Sequence, residues 1–276
     1  MTAFYVVFIV LAVLAVFYFL AIMPRLGRKK EKEKLLNVHY AHRGLHDNSG
    51  DAPENSMAAF QKAVKAGYGI ELDVQLTKDK VPVVFHDFTL ERVCGKEGKV
   101  YDYTWEELKE FKLFESGETI PKFADVLSLV KGKVPLIVEL KVEWMELYVC
   151  TEADALLRKY EGVYCIESFN PLALMWYRRY HNDVIRGQLA DGFTRTGEFK
   201  GLLYVVLQNL LLNGMTKPDF VAYNHKYAGN LSRRLCRRLY GNLAVAWTIK
   251  SQEEMEKAKP QFDLFIFESF LPAQNL

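Results

Sequence analysis

Nine short apolar runs rich in β-branched and aromatic residues recur along the chain, and helical patterns lie between most of them. The runs cover residues 36–41, 70–76, 81–85, 134–140, 163–166, 184–189, 219–223, 243–248 and 262–267. Only the stretch TKDK separates the second run from the third. Because a parallel crossover needs about a dozen residues or more, these two runs must form an antiparallel hairpin.

Setting 81–85 aside leaves eight strands that alternate with helices over about 240 residues. This arrangement predicts a TIM (β/α)8 barrel, an α/β fold of about 250 residues. An open, doubly wound sheet is the alternative. Such a sheet most often carries a GxGxxG loop after its first strand, and the loop AHRGLHD does not have that pattern.

The composition is that of a folded globular protein, with 276 residues of which 50% are hydrophobic and 25% are charged. The net charge of +2 gives no overall field that would favour nucleic acid as a partner. The four cysteines, at 94, 150, 165 and 236, are widely spaced and form no CxxC pair. This spacing argues against a zinc site and favours a reducing compartment.

The N-terminal segment is apolar without interruption from Ala3 to Met23. About 20 such residues cross the hydrocarbon core of a bilayer as a helix. No basic residue precedes the run, unlike in a signal peptide, and a core helix apolar on every face would need complete cover. We therefore expect a membrane anchor over 1–24, a basic juxtamembrane linker over 25–36 and the barrel domain over 37–276.

The stretch 25–34 contains six basic and two acidic residues. Basic residues beside a membrane span stay preferentially in the cytoplasm. The sequence therefore predicts a single-pass protein of the cell membrane, with its N-terminus outside and its large domain in the cytoplasm. A plain solvated linker is the alternative interpretation of this stretch, and the two are compatible.

Carboxylates converge at the ends of two predicted strands. Glu71, Asp73 and Gln75 are two residues apart and share one face, and Glu139 and Lys141 share a face at the end of 134–140. Buried together, such carboxylates repel one another unless a hard divalent cation lies between them. A surface ion pair between Glu139 and Lys141, with Glu71 in solvent, is the alternative.

Two histidines follow apolar runs in the same manner, in the pairs His42–Arg43 and His86–Asp87. Histidine exchanges protons near neutral pH, and the planar guanidinium of arginine fits phosphate oxygens. Together with a divalent cation, these groups suit attack on a phosphate ester. We expect Asp87 to point away from its neighbour His86.

Several motifs resemble the glycerophosphodiester phosphodiesterase family, specifically its membrane-anchored bacterial type. They are AHRG…PENSMAAF, GIELDVQLTKDKVPVVFHD, LIVELK, SFN at 168–170 and AWT at 246–248. The resemblance covers roughly residues 37–272. It implies a TIM barrel with a small insertion after His86–Asp87, in the irregular stretch 88–118.

The same resemblance implies roles for individual residues. One divalent cation, Mg²⁺ or Ca²⁺, would be held by Glu71, Asp73 and Glu139. His42 and His86 would be the general acid and base, in an order that the sequence leaves open. Arg43 and Lys141 would hold the phosphate of a small-molecule or lipid substrate.

The expected reaction is hydrolysis of a glycerophosphodiester to sn-glycerol 3-phosphate and an alcohol. Three alternatives remain open: a related phospholipase that acts on lysophospholipid or phospholipid headgroups, a catalytically silent membrane-tethered binding protein, and a glycosidase that uses Glu71 and Glu139. The stretch 198–214 is apolar on nearly all faces. It is either a well-buried helix or a segment that dips into the cytoplasmic leaflet beside the barrel mouth.

Overall fold

The computed structural model of the chain describes residues 2–36, 38–195, 197 and 199–273. Its strands are β1 Tyr40–Ala41, β2 Gly69–Leu76, β3 Pro82–Val84, β4 Leu136–Leu140, β5 Tyr164–Ser168, β6 Arg186–Ala190, β7 Phe220–Asn224, β8 Leu243–Ile249 and β9 Leu264–Phe267. Its helices are α1 Thr2–Ile22, α2 Lys29–Glu33, α3 Met57–Ala66, α4 Glu91–Cys94, α5 Trp105–Leu108, α6 Phe123–Val130, α7 Tyr148–Leu157, α8 Pro171–Tyr180, α9 Leu202–Gln208, α10 Asn213–Thr216, α11 Leu231–Tyr240 and α12 Gln252–Ala258.

Eight of the strands close into a parallel barrel. The order is β1-β2-β4-β5-β6-β7-β8-β9, and β9 pairs again with β1. β3 runs antiparallel to the end of β2, with Val74 opposite Val84. The predicted TIM barrel and its antiparallel hairpin are thereby confirmed, with helices on the outside of the barrel. β1 is shorter than the predicted run 36–41, because only its last two residues pair with β2 and β9.

We call the end of the barrel where the parallel strands finish the mouth, and the opposite end the base. The base is filled by apolar side chains, among them Leu35 and Tyr40, and the Tyr40 hydroxyl donates to the Leu35 carbonyl at 2.9 Å. A second apolar layer, between strands and helices, forms the main core. The closed base leaves the mouth as the end at which polar side chains are accessible.

Helix α3 begins directly after the motif PENS. The Ser56 hydroxyl caps it by accepting from the Ala59 N–H at 3.1 Å, and Gly67 ends it with φ +76°. This fixes the loop 42–55 between two rigid elements, β1 and α3. Both ends of the loop therefore hold polar side chains in defined positions at the mouth.

The insertion after β3 has a small core of its own. Its apolar side chains pack against the hairpin residues Val83 and Phe85 and form a cluster separate from the main core. A capping box between Thr104 and Glu107 starts α5, as its sequence pattern indicates. The predicted small insertion is confirmed, with two short helices and a 3₁₀ turn at Val100–Asp102 in place of irregular chain.

Helix α1 is the one described helix that is long and apolar enough to cross a membrane, a test that a signal sequence near an N-terminus also passes. Its side chains from Phe4 to Phe17 are exposed, and its last turn, from Tyr18 to Ile22, contacts α11. The exposure of so many apolar side chains distinguishes α1 from a helix of the barrel core.

Candidate active site

A cavity of about 430 Å³ lies at the mouth of the barrel. Its wall carries side chains from the C-terminal ends of strands and from the loops that follow them, which is where TIM barrels hold their reactive groups. The polar side chains that line it include His42, Arg43, Glu71, His86, Glu139, Glu167 and Glu268. Predicted site residues from four separate segments thus meet in one place.

Three carboxylates form a buried cluster beside the cavity. Glu71 and Asp73 point to the same side of β2, and the register places Asp73 opposite Glu139 of β4. One oxygen of each carboxylate lies within 4.8 Å of the others. Burial, together with the charges of Asp73 and Glu167, raises the pKa of Glu71 well above its usual value. Buried oxygens this close fit a hard cation, so the cluster could hold a metal ion.

Lys141 lies against the same cluster. Its Nζ is 3.0 Å from Asp73 Oδ1 and 2.8 Å from Glu139 Oε1. Burial alone lowers the pKa of Lys141, but the two carboxylates outweigh that effect and raise it. Burial raises the pKa of Asp73, but the charges of Lys141 and Arg43 outweigh it and hold that pKa well below its usual value. Lys141 is therefore charged and offsets part of the negative charge of the cluster.

His42 is held between two carboxylates. Its Nδ1 is 2.5 Å from Glu268 Oε2, and its Nε2 is 3.9 Å from Glu71 Oε2. Burial and the charge of Arg43 lower the pKa of His42 to about 4, against the opposing effect of Glu268. The hydrogen bond to His42 and the ion pair to Lys250 keep Glu268 ionised with a lowered pKa, although burial opposes this. A neutral imidazole beside an ionised carboxylate donates its Nδ1–H, which leaves Nε2 as a proton acceptor.

Arg43 connects the loop to the carboxylates through both its backbone and its side chain. Its N–H donates to Glu71 Oε2 at 3.0 Å, from a left-handed conformation with φ +55°. Its Nη1 donates to Glu54 Oε1 at 2.7 Å, and its Nε lies 3.7 Å from Asp73 Oδ2. Asn55, also left-handed at φ +58°, donates to Asp73 Oδ2 at 2.9 Å. Such conformations in non-glycine residues occur where surrounding contacts impose them, often at functional sites.

His86 follows β3 and also lines the cavity. Its Nδ1 is 2.6 Å from Asp87 Oδ1, so the expectation that Asp87 points away is wrong. The chain turns tightly here because Gln75 Nε2 donates to the carbonyls of Phe85 and Asp87, at 2.8 and 2.7 Å. That turn brings the Asp87 side chain back onto the imidazole. Each of the two histidines therefore has a carboxylate on its Nδ1.

Arg92, in helix α4 of the insertion, connects Glu54 with Asp87. It donates to both oxygens of Glu54, at 2.6 and 3.0 Å, and its Nε donates to Asp87 Oδ2 at 2.6 Å. Glu54 also accepts from Asn48 Nδ2 at 2.8 Å. These partners lower the pKa of Glu54 to about 2, although burial opposes the shift.

Sequence reasoning missed three residues of this site. Glu167 on β5 stands opposite Glu139 in the strand register, is buried, and has one oxygen without a hydrogen-bond partner among the described residues. The rule that identified Glu139, a carboxylate at the end of an apolar strand, also fits Glu167. Glu268 follows β9 in the same manner. No sequence pattern indicated Arg92, because its partners are brought together only by the folded insertion.

Comparison with known proteins places this geometry in a family. The model of the glycerophosphoryl diester phosphodiesterase family matches residues 42–261. A glycerophosphodiester phosphodiesterase of Caldanaerobacter subterraneus is 46% identical over 109 residues, which are 37% of this chain and 44% of the relative. One of Bacillus altitudinis is 41% identical over 111 residues, 38% of this chain and 44% of the relative. The chain thus spans less than half the length of these two curated relatives.

Solved structures share the fold over most of the chain. The glycerophosphodiester phosphodiesterase of Thermotoga maritima is 27% identical with a TM-score of 0.63, over 83% of this chain and 94% of that one. A phosphodiesterase of Oleispira antarctica, in complex with its product sn-glycerol 3-phosphate, is similar in fold, with 24% identity and a TM-score of 0.68 over 85% and 93% of the two chains. The family match extends from His42, at the mouth of the barrel, to Gln261, just before β9. The chain belongs to the glycerophosphoryl diester phosphodiesterase family.

Proposed function

We propose that this chain hydrolyses glycerophosphodiesters to sn-glycerol 3-phosphate and an alcohol. The observation that carries the proposal is the meeting of three buried carboxylates, two carboxylate-paired histidines and Arg43 around one cavity. The names of the relatives and the product bound to a structural neighbour support the same reaction. A binding protein without activity would not need two histidines that are each oriented by a carboxylate.

Glu71, Asp73 and Glu139 would hold one divalent cation, Mg²⁺ or Ca²⁺. The fit rests on their donor set, which is three buried carboxylates whose oxygens approach within 4.8 Å. When bound, the cation supplies positive charge that neutralises the phosphodiester. Arg43 and Lys141 add charge of the same sign and would hold the phosphate. The Arg43 Nε supports this role because it is buried without a hydrogen-bond partner among the described residues.

His42 is the proposed general base and His86 the proposed general acid. His42 is neutral at physiological pH because its pKa is lowered to about 4, and its Nε2 is free to accept a proton from the nucleophile, a glycerol hydroxyl or water. Glu268 then stabilises the imidazolium that forms. His86, whose Nδ1 is paired with Asp87, donates a proton to the departing alcohol.

The test is release of glycerol 3-phosphate from glycerophosphocholine by the purified full chain. EDTA should abolish the release, and Mg²⁺ or Ca²⁺ should restore it. Turnover that persists in EDTA, with metal shown to be absent, would refute the cation and leave the glycosidase alternative to be tested on glycosides. His42→Ala and His86→Ala should each lower kcat by about 10²–10⁴-fold.

His181 provides the matched control, since it lies at the C-terminal end of α8 on the base side of the barrel. His181→Ala should retain wild-type kcat. Circular dichroism of all three variants separates a catalytic loss from unfolding. A folded His86→Ala variant with near wild-type turnover would show that His86 has a structural role only.

α1 is the proposed membrane anchor, with its N-terminus outside and the barrel in the cytoplasm. Its support is the length, apolar composition and exposure of the helix. Protease protection in sealed vesicles from expressing cells tests the orientation. If protease added outside vesicles that keep the orientation of the cell membrane digests the barrel domain, the proposed orientation is refuted.

A further inference from the structure

We propose that a second cavity, beside the insertion, binds a nucleoside phosphate, and that its occupation weakens substrate binding through Lys141. The binding site stands on its own observations, whereas the effect on the substrate rests on the proposed function. Three features carry the inference: the charge of the cavity, the exposed aromatic rings around it, and the contact of Lys141 with the carboxylate cluster.

The second cavity has a volume of about 630 Å³. It lies between the β2–β3 turn, the insertion and the loop from β4 to α7. Among the described residues, none that lines it also lines the catalytic cavity at the mouth. Proteins bind small molecules in cavities of about 300–1,000 Å³, so this one is a separate candidate binding site.

Lysines give this cavity an excess of positive charge. Four ammonium groups and two carboxylates line it, from Lys78, Lys80, Lys99, Lys141, Glu143 and Glu146. Lys99 Nζ is paired with Glu143 Oε1 at 2.8 Å. Lys78 and Lys80 form no ion pair with a described carboxylate, and Lys80 Nζ lies 3.9 Å from the centroid of the Tyr148 ring. Because these ammonium groups are not neutralised by the protein, the cavity favours an anionic ligand.

Exposed aromatic side chains are concentrated around the same cavity. Outside α1, six described aromatic side chains are at least 37% exposed, and four of them line this cavity: Phe88, Tyr101, Trp144 and Tyr148. Trp144 is the most exposed of them, at 84%. A planar base stacks on such rings, and ammonium groups bind phosphate. Open rings beside unpaired lysines therefore suit a ligand that carries both groups, which is the chemistry of a nucleoside phosphate.

Lys141 connects the second cavity with the carboxylate cluster. It lines the cavity, and its Nζ is 3.0 Å from Asp73 Oδ1 and 2.8 Å from Glu139 Oε1. An ammonium group has three hydrogens, so these two contacts leave one hydrogen for a further acceptor. The proposed function assigns that hydrogen to the phosphate of the substrate. A phosphate bound in the second cavity competes for it, and we therefore expect an occupied cavity to raise KM for the substrate.

Binding is tested by isothermal titration calorimetry of the purified full chain in detergent micelles, with adenosine 5′-monophosphate (AMP), adenosine and inorganic phosphate as ligands. AMP should bind about tenfold more tightly than adenosine or phosphate, because it engages both the rings and the lysines. Trp144→Ala should weaken AMP binding about tenfold, the effect of one lost base–aromatic stack, and Lys80→Gln about fivefold.

The matched controls are Tyr180→Ala, at an aromatic side chain of α8 that is 58% exposed, and Lys257→Gln, at an exposed lysine of α12. Both should bind AMP like the wild type. Absence of saturable AMP binding to the wild type would overturn the proposal. So would AMP binding that Trp144→Ala and Lys80→Gln leave unchanged, since AMP would then lie outside this cavity. Equal affinities for AMP and inorganic phosphate would refute recognition of the ring.

A second measurement tests the effect on hydrolysis of glycerophosphocholine. AMP should raise KM of the wild type without lowering kcat. Trp144→Ala should have wild-type rates without AMP and should need about tenfold more AMP for the same rise in KM. Equal inhibition of Trp144→Ala and wild type would show that AMP acts from the catalytic cavity, and an unchanged KM of the AMP-bound wild type would refute the link through Lys141. If the wild type hydrolyses no glycerophosphodiester, the proposed function fails, whereas calorimetry still decides whether AMP binds.

Discussion

Glu54→Gln offers a stringent test of the polar network, because Glu54 links the loop of Arg43 with the insertion. The carboxylate accepts from Arg43 at 2.7 Å, from Arg92 at 2.6 and 3.0 Å, and from Asn48 at 2.8 Å, with only 6% of its side chain exposed. Its pKa falls from 4.5 to about 2 on folding. A shift of this size corresponds to about 3 kcal/mol, at about 1.36 kcal/mol per pKa unit. Removing one partner of a buried ion pair costs about 3–5 kcal/mol of unfolding free energy, in agreement with the value that follows from the pKa shift.

The pH dependence follows from the direction of the shift. Because the folded state lowers the pKa of Glu54, its contribution is complete above pH 4.5 and disappears as the pH falls through about 2. Denaturant unfolding of the wild type and Glu54→Gln should therefore differ by about 3 kcal/mol at pH 7 and converge towards pH 2. Glu253→Gln, at a fully exposed carboxylate, is the control and should unfold like the wild type. Equal unfolding free energies of Glu54→Gln and wild type at pH 7 would refute the reasoning.

Three further predictions concern the histidines and the left-handed loop. Glu268→Gln should lower kcat by about 10–10²-fold, because the imidazolium of His42 loses its anionic partner. It should also move the acid limb of the pH–rate profile to lower pH, since Glu268 raises the pKa of His42. An unmoved limb would contradict the proposal that His42 is the base. Asp87→Asn should lower kcat similarly without a change in KM for glycerophosphocholine, and a wild-type rate would show that the contact with His86 has no role in catalysis. Asn55→Ala should cost about 1–3 kcal/mol of unfolding free energy through the left-handed backbone and the bond lost to Asp73, whereas Asn55→Gly should recover part of it.

The barrel and its acidic cluster were predictable because both depend on local, periodic patterns. Alternation along β2 places Glu71 and Asp73 on one face whatever the rest of the chain does, and parallel strands bring Glu139 to the same edge. The position of each histidine, directly after an apolar run, likewise gives its location at the mouth. These inferences need only the direction of a strand and the closure of the sheet.

Contacts between distant loops were not predictable in the same manner. Arg92 meets Glu54 across 38 positions of sequence, and Glu268 meets His42 across 226. The turn that brings Asp87 onto His86 depends on hydrogen bonds from Gln75, which a sequence pattern does not contain. The proposal that His42 is the base rests on its burial and on its contact with Glu268, neither of which a sequence pattern contains.

The insertion has a hydrophobic core of its own. The side chain of Arg92, a residue of this insertion, donates hydrogen bonds to both Glu54 and Asp87. Because this core is separate from the main core of the barrel and meets the sheet only at the hairpin, we expect substitutions inside it to disturb the parallel strands less than substitutions in the main core. We expect relatives to differ in the length and sequence of this segment more than in the barrel, with an arginine retained at its point of attachment. For engineering, exchange of the segment between relatives is then a route to altered substrate range that leaves the chemical groups of the barrel in place.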